Sequence, residues 1–256
     1  MVVGVIYGFN MQNDSPPTCN SELEAVKVLI YNGEGTSTAS VEGIIYCLEQ
    51  AEKDNPNIQF NYTTSDVINS KVLASQDVLV IAGGDITVMF NNPAINHEDI
   101  QKFVEGGKGY LGICAGAYAA SNYNGEYGSG WGIAPNIECN YTYIDDIQPL
   151  TITNYGLKTL KYSKEKIEPC SFFVNDTETI TLLSFPLINS PRLYKKYNYT
   201  PISTYAENES IMSGSAAILD DTYGSGRIIL SGPHPELKPA KPGLVASMIL
   251  WASKRI

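Results

Sequence analysis

Short apolar runs recur along the first half of the chain and are separated by polar or glycine-rich segments. A nearly continuous apolar run of this kind is typical of a strand covered on both faces of a parallel sheet. Residues 58–64 alternate between apolar and polar side chains, which also indicates a strand. The predicted buried strands span residues 27–31, 77–82 and 109–113.

Two segments between these runs have the periodicity of a helix that buries one face. The first helix begins after Ser37, a suitable N-cap, and the second begins after Asn96 and ends at Gly106-Gly107. Their apolar positions are Val41, Ile44, Ile45 and Leu48 in the first helix and Ile100, Phe103 and Val104 in the second.

Strands and helices therefore alternate through the first half, which predicts right-handed βαβ units and an α/β fold with a parallel sheet. Residues 130–231 are rich in Tyr, Thr, Ile and Asn, and we interpret them as extra strands and long loops on the same sheet. Residues 215–231 have the pattern of a hairpin, and 244–252 that of an amphipathic helix. We expect one domain over 1–256, with 1–26 as an N-terminal extension.

Composition and charge exclude several classes of function. The chain has 256 residues, of which 43 % are hydrophobic and 17 % charged, as in an ordinary globular protein. The net charge of −10 and the lack of a Lys/Arg cluster argue against binding to nucleic acid. Because no run approaches eighteen apolar residues, no membrane association is expected.

The cysteines indicate neither a disulfide framework nor a metal centre. There are five of them, widely spaced and without a C-x-x-C motif, and the chain has only two histidines. A reducing, cytoplasmic location is the expectation, and the apolar start at residues 1–8 lacks the basic residues of a secretory signal. Six N-glycosylation sequons, several of which would arise by chance at this Asn content, leave secretion open.

The segment Gly112-Ile-Cys114-Ala-Gly116 has the pattern of a nucleophile elbow. A sharp turn between a strand and a helix lifts the thiol out of the sheet, and side chains in place of either glycine would collide there. The helix N-terminus favours the thiolate form. The N–H of Ala115 would be one oxyanion donor, and the Gly83-Gly84 loop could supply the second. The alternative is a buried cysteine at a glycine-rich strand exit.

The segment His234-Pro-Glu236 places a base and an acceptor side by side. Side chains two residues apart in an extended segment point to the same side, so Glu236 could accept from one imidazole nitrogen while the other faces the thiol. The alternative is a histidine in a proline-rich turn.

These two motifs, in this order, resemble the class I glutamine amidotransferase family, and in particular the amidotransferase-like domain at the N-terminus of some eukaryotic biotin–protein ligases. The resemblance covers most of residues 27–236. It is carried by the segments Val28 to Ser37, Val80 to Asp85, Gly109 to Tyr118 and Gly226 to Glu236.

The resemblance implies a flavodoxin-like, three-layer α/β sandwich with a mainly parallel central sheet. It also implies a catalytic triad of Cys114, His234 and Glu236, and an oxyanion hole at Gly84 and Ala115. This chemistry needs neither a cofactor nor a metal.

The loop Asn32-Gly-Glu-Gly-Thr36 follows the first strand, at the edge where open α/β sheets bind ligands. The alternative is a turn selected only for its glycines. Tyr118 stands four residues after the cysteine, where glutaminases of the family commonly have Gln. The candidate substrate contacts are Asn32, Glu34, Thr36, Gly83 and Tyr118.

The sequence supports two main hypotheses of function. The first is a hydrolase of amide C–N bonds, of glutaminase type or acting on another small molecule or a peptide, with a thioester intermediate. The second is a non-catalytic binding or regulatory module that keeps the elbow as scaffold. No Gly-Arg-Gly biotin-ligase signature occurs, so any synthetase that accepts ammonia, or any ligase, would be another chain. The oligomeric state is left open.

Overall fold

A nine-stranded mixed sheet forms the centre of the fold. The structure, a computed structural model, describes residues 24–125, 128–142, 147–162, 167–171, 180–184, 201–205 and 215–256. Of the predicted N-terminal extension, residues 1–26, all but 24–26 lies outside the described residues, and so does much of 163–214.

The strands are β1 (Val26–Tyr31), β2 (Phe60–Ser65), β3 (Val78–Ile81), β4 (Gly109–Ile113), β5 (Asn124–Gly125), β6 (Gly128–Ser129), β7 (Glu138–Thr142), β8 (Ile147–Ile152), β9 (Ile167–Ser171), β10 (Ile180–Ser184), β11 (Ser203–Tyr205), β12 (Ala216–Tyr223) and β13 (Gly226–Ser231). The helices are α1 (Thr38–Asp54), α2 (Ser70–Leu73), α3 (Ile86–Asn91), α4 (His97–Glu105), α5 (Ala115–Ala120), α6 (Asn154–Thr159) and α7 (Pro242–Ala252).

One half of the sheet is parallel, in the order β2-β1-β3-β4-β13. Its strands are apolar on both faces because helices cover both. Val28 and Ile30 face the cluster that contains α1 and α7, whereas Leu29 and Tyr31 face the cluster that contains α3, α4 and α5. This arrangement is a three-layer α/β sandwich, and the predicted fold class is confirmed.

The other half of the sheet is antiparallel. Strand β12 returns along β13 through the turn at Gly224-Ser225, and β11, β8 and β9 extend the sheet beyond it. The prediction that strands from residues 130–231 pack on the same sheet is therefore correct for these elements. Among the strands that the structure describes, β7 and β10 form a separate pair, and so do β5 and β6.

Most predicted elements of the first half appear with small shifts at their ends. Strand β4 coincides with the predicted run, and the side chain of Asn96 accepts a hydrogen bond from the N–H of Asp99 at the start of α4. Ser37 is the N-cap residue of α1, but its hydroxyl makes no capping bond. The short helix α3 was not predicted because its few residues show no helical period.

No helix within the described parts of the chain is long and apolar enough to cross a membrane.

Asp77 is an ionic anchor at the amino ends of the strands, the edge of the sheet opposite the carboxyl ends. Its carboxylate accepts hydrogen bonds from the N–H of Lys27 at 3.1 Å and from Nζ of Lys108 at 2.9 Å, and Arg255 lies 4.0 Å away. Burial raises the pKa of Asp77, but the hydrogen bonds and charges of these partners outweigh it and hold the pKa below its ordinary value.

We expect Asp77→Asn to lower the free energy of unfolding at pH 7 by about 1 kcal/mol, since a partly buried charge pair is lost. A depressed pKa stabilises the fold above the unfolded-state pKa, and this contribution disappears as the pH falls through the folded-state value. Urea unfolding between pH 7 and pH 3 should therefore show the two proteins converging in acid. If the free energies of unfolding of the two proteins differed by the same amount at pH 7 and at pH 3, this assignment would be contradicted.

Candidate active site

The candidate residues follow the carboxyl ends of three adjacent parallel strands. Strands β3, β4 and β13 lie side by side in the sheet, and their carboxyl ends share one edge. The chain continues from β3 into Gly83-Gly84, from β4 into Cys114, and from β13 towards His234 and Glu236.

Cys114 has a strained backbone, as the hypothesis of a nucleophile elbow requires. Its φ of 51° and ψ of −110° lie outside the regions that L-residues ordinarily adopt. Hydrogen bonds fix this conformation on both sides, because the N–H of Cys114 donates to the Ser231 carbonyl at 2.8 Å and its carbonyl accepts from Tyr118 N–H at 3.0 Å. The residue therefore stands as the N-cap of α5, immediately after the end of β4.

The two glycines of the elbow allow α5 to fold back on the sheet. A Cβ on Gly112 would come within 2.5 Å of the Gly116 carbonyl oxygen, and a Cβ on Gly116 would overlap the Ile81 carbonyl in β3. The close approach predicted from the Gly-x-Cys-x-Gly pattern is present, and backbone atoms are the obstacle on both sides.

His234 and Glu236 form a buried pair behind Cys114. The imidazole Nδ1 lies 2.7 Å from Glu236 Oε1, and the two residues are 0 % and 2 % exposed. The segment is a turn, which was the alternative to the extended segment, since the N–H of Leu237 donates to the His234 carbonyl at 3.3 Å. The fixed φ of Pro235 suits the second position of such a turn.

The environment of His234 favours the imidazolium. Burial lowers its pKa, but the charge of Glu236, followed by the charge and hydrogen bonding of Cys114, raises it well above the ordinary value. Because Nδ1 is paired with Glu236, Nε2 is the ring nitrogen left for a proton exchange with the thiol. A side chain on Gly83 would overlap His234 Cε1 and lie 3.3 Å from Cys114 Cβ, so both residues flank this glycine.

The Gly83-Gly84 loop is held by the start of α1. The N–H of Ser37 donates to the Gly83 carbonyl at 2.8 Å, and the N–H of Gly83 donates to the Ser40 hydroxyl at 3.0 Å. In a trans peptide the C=O and the following N–H point in opposite directions. The N–H of Gly84 is therefore directed away from Ser37, and Ala115 follows Cys114 as the first residue of α5.

The predicted substrate loop is only partly next to this site. Thr36 pairs with Gly84 in an isolated bridge, which places it beside Gly83-Gly84. Asn32 and Glu34 are exposed, and the Glu34 carbonyl accepts hydrogen bonds from the Tyr31 hydroxyl and Asn92. Of these three residues, the structure thus brings Thr36 alone against the glycine loop, through its backbone, while its hydroxyl donates to the Gly33 carbonyl.

Tyr118 lies one turn into α5 and is 2 % exposed. Its ring meets that of Tyr123 edge to face at 4.8 Å, and Tyr123 stacks on Phe90 at 6.0 Å. Tyr118 is therefore part of an aromatic cluster at the start of α5.

Sequence reasoning missed the α1 residues that contact Glu236. Ser40 donates to Glu236 Oε1 at 2.6 Å, and a Cβ on Gly43 would lie 2.8 Å from the Glu236 carbonyl oxygen. Burial, followed by the charge of Glu236, raises the pKa of the Cys47 thiol. A signal was available, since Ser40, Gly43 and Cys47 are small residues at helical spacing beside the apolar face.

No group of three or more His, Cys, Asp or Glu side chains that could hold a metal ion occurs where the structure describes the chain.

Comparisons with known proteins agree with this architecture at the level of the fold. PurLQS from Thermotoga maritima, whose fold is glutamine amidotransferase-like, is 15 % identical over 88 % of this chain and 98 % of its own, with a TM-score of 0.51. A ThuA-like protein from Bacteroides uniformis is 12 % identical over 93 % and 95 %, with a TM-score of 0.56. These likenesses show the class of fold.

The family match is more specific. Residues 26–130 match the family described as the N-terminal region of biotin–protein ligase, which confirms the resemblance over the part of the chain that contains Gly83, Gly84 and Cys114. The match ends before His234 and Glu236. Among curated proteins, no relative was found.

If the pair is assembled around the thiol, His234→Ala should slow the labelling of Cys114 by iodoacetamide at pH 7 about tenfold or more, because the imidazolium no longer stabilises the thiolate. Mass spectrometry of each cysteine-containing peptide gives the rate. Cys47 serves as an internal reference, since burial, and then the charge of Glu236, raises its pKa to about 12.

His97→Ala is the matched control, because His97 is the only other histidine and lies on α4. Equal labelling of Cys114 in the two variants would show that His234 does not act on the thiol.

Proposed function

We propose that this protein hydrolyses an amide C–N bond through a thioester on Cys114. The observation that carries the proposal is the 2.7 Å contact between His234 Nδ1 and Glu236 beside a cysteine held in elbow geometry. The relationship to amidotransferase-like folds and to the biotin–protein ligase N-terminal family supports the choice of amide chemistry.

In the first half of the reaction, Cys114 Sγ attacks the carbonyl carbon of the amide and forms a C–S bond. The thiol proton has by then moved to Nε2 of His234, where the raised pKa of the imidazole holds it. The carbonyl oxygen becomes an oxyanion, towards which the N–H groups of Gly84 and Ala115 donate. Collapse of this intermediate breaks the C–N bond as Nε2–H protonates the leaving nitrogen.

In the second half, water attacks the thioester carbonyl while neutral His234 accepts its proton at Nε2. The C–S bond breaks, the sulfur recovers a proton from the imidazolium, and the carboxylic acid leaves. Glu236 accepts from Nδ1–H in both halves, so that Nε2 stays directed at the sulfur and the leaving group.

One observation favours the alternative of a binding or regulatory module. Cys114 is 2 % exposed and His234 is 0 % exposed, so a substrate reaches the sulfur only after neighbouring atoms move. In that reading the elbow serves as scaffold, and a partner such as a synthetase or ligase chain binds the protein.

A panel of glutamine, asparagine and simple primary amides, assayed for released ammonia, tests hydrolysis directly. We expect turnover that Cys114→Ala reduces by about 1000-fold or more. Intact-mass spectrometry should show an acyl adduct in wild type and none in Cys114→Ala. Absence of both ammonia and adduct across the panel would favour the binding module.

The pH dependence of the same turnover probes His234. Its raised pKa predicts that kcat/KM persists through neutral pH and falls in the alkaline range, as the imidazole loses the proton needed by the leaving nitrogen. In Glu236→Gln the carboxylate charge that raises this pKa is gone, so the alkaline fall should move to lower pH. An unmoved alkaline limb in that variant would exclude His234 as the group that titrates.

A further inference from the structure

The buried hydroxyl of Ser40 connects the His234–Glu236 pair with the Gly83-Gly84 loop. Ser40 is 0 % exposed and lies in the first turn of α1. Its Oγ donates to Glu236 Oε1 at 2.6 Å and accepts from the N–H of Gly83 at 3.0 Å. The directions of these two hydrogen bonds are fixed, because an ionised carboxylate can only accept and a backbone N–H can only donate.

We infer that Ser40 is a positioning residue, which holds the Glu236 carboxylate against His234 and the Gly83-Gly84 loop in place beneath Cys114. The inference rests on the function proposed above. Ser40 touches neither the sulfur nor a substrate in this scheme, and it acts through the groups to which it is bonded.

Helix α1 encloses Glu236 from two consecutive turns. Ser40 and Gly43 are three residues apart and therefore lie on one face of the helix. A Cβ on Gly43 would lie 2.8 Å from the Glu236 carbonyl oxygen and 3.1 Å from its Cγ, closer than side chains ordinarily approach. The helix thus touches the backbone and side chain of Glu236, and the Ser40 hydroxyl selects the position of the carboxylate.

The same turn of α1 fixes the glycine loop. The Ser40 hydroxyl accepts a hydrogen bond from the N–H of Gly83, and the N–H of Ser37 donates to the Gly83 carbonyl. Removal of the Ser40 hydroxyl leaves the buried Gly83 N–H without this acceptor and Glu236 Oε1 without this donor. Both groups are then free to rotate away from the geometry that the scheme requires.

Histidine NMR gives a readout that a purely structural hydroxyl would not affect. The chain has only two histidines, so ¹⁵N-histidine labelling reports His234 and His97 in one spectrum. In Ser40→Ala we expect the proton affinity of His234 to fall about tenfold, because the carboxylate that stabilises its imidazolium is no longer held in place. The titration of His97 should not change.

Ser203→Ala is the matched control. Ser203 is also 0 % exposed, and its hydroxyl donates to the Thr151 carbonyl at 3.2 Å in strand β11, remote from the elbow. It should lower thermal stability without moving the titration of His234. Ser40→Thr keeps a hydroxyl and should restore most of the proton affinity.

An unchanged or raised proton affinity of His234 in folded Ser40→Ala overturns the inference. If that variant does not fold, Ser40→Cys takes its place: its weak S–H donor should leave His234 with a proton affinity between the wild-type value and a tenfold loss, and a wild-type value overturns the inference.

The titration needs no substrate. A protein that hydrolyses no amide but shows the shift refutes the proposed function alone, and a protein that turns over but shows no shift refutes the role of Ser40 alone.

Discussion

The close approach of α5 to strands β3 and β4 is the constraint on which the site depends. Carbonyl oxygens at Ile81 and Gly116 occupy the space that side chains at Gly116 and Gly112 would need. Because the helix can start so near the sheet, Cys114 is forced into a positive φ and stands between the carboxyl ends of its neighbours. A larger distance between α5 and the sheet would relieve the backbone strain at Cys114. It would also move Cys114 away from the residues that follow β13.

The second organising feature is a polar chain buried within an apolar fold. The Gly83 amide, the Ser40 hydroxyl, the Glu236 carboxylate and the His234 ring are linked in series. Burial of such groups is costly unless each is paired, and a paired chain has few alternative arrangements. The positions of its members are therefore set together, by α1 on one side and the turn after β13 on the other.

The sequence predicted what depends on local pattern. The apolar run at 109–113 and the N-cap at Asn96 reappear in β4 and α4, because burial on two faces and capping leave signatures within a few residues. The elbow was recognisable because its glycines stand beside the cysteine. The turn at His234 was one of two alternatives, because the His-Pro-Glu pattern alone fits both a turn and an extended segment. Ser40 and Glu236, which are 196 positions apart, meet only through the tertiary packing of α1.

Cys114 belongs to the same buried apolar cluster as Val80, Ile113 and Met248. The sulfur of Cys114 is thus set into the wall of the core and is not carried on a surface loop. Motions that open the core and motions that displace the sulfur are then the same motions, whereas a loop-borne nucleophile can loosen while the rest of its domain stays folded. Loss of the geometry around this sulfur should consequently coincide with melting of the protein and not precede it.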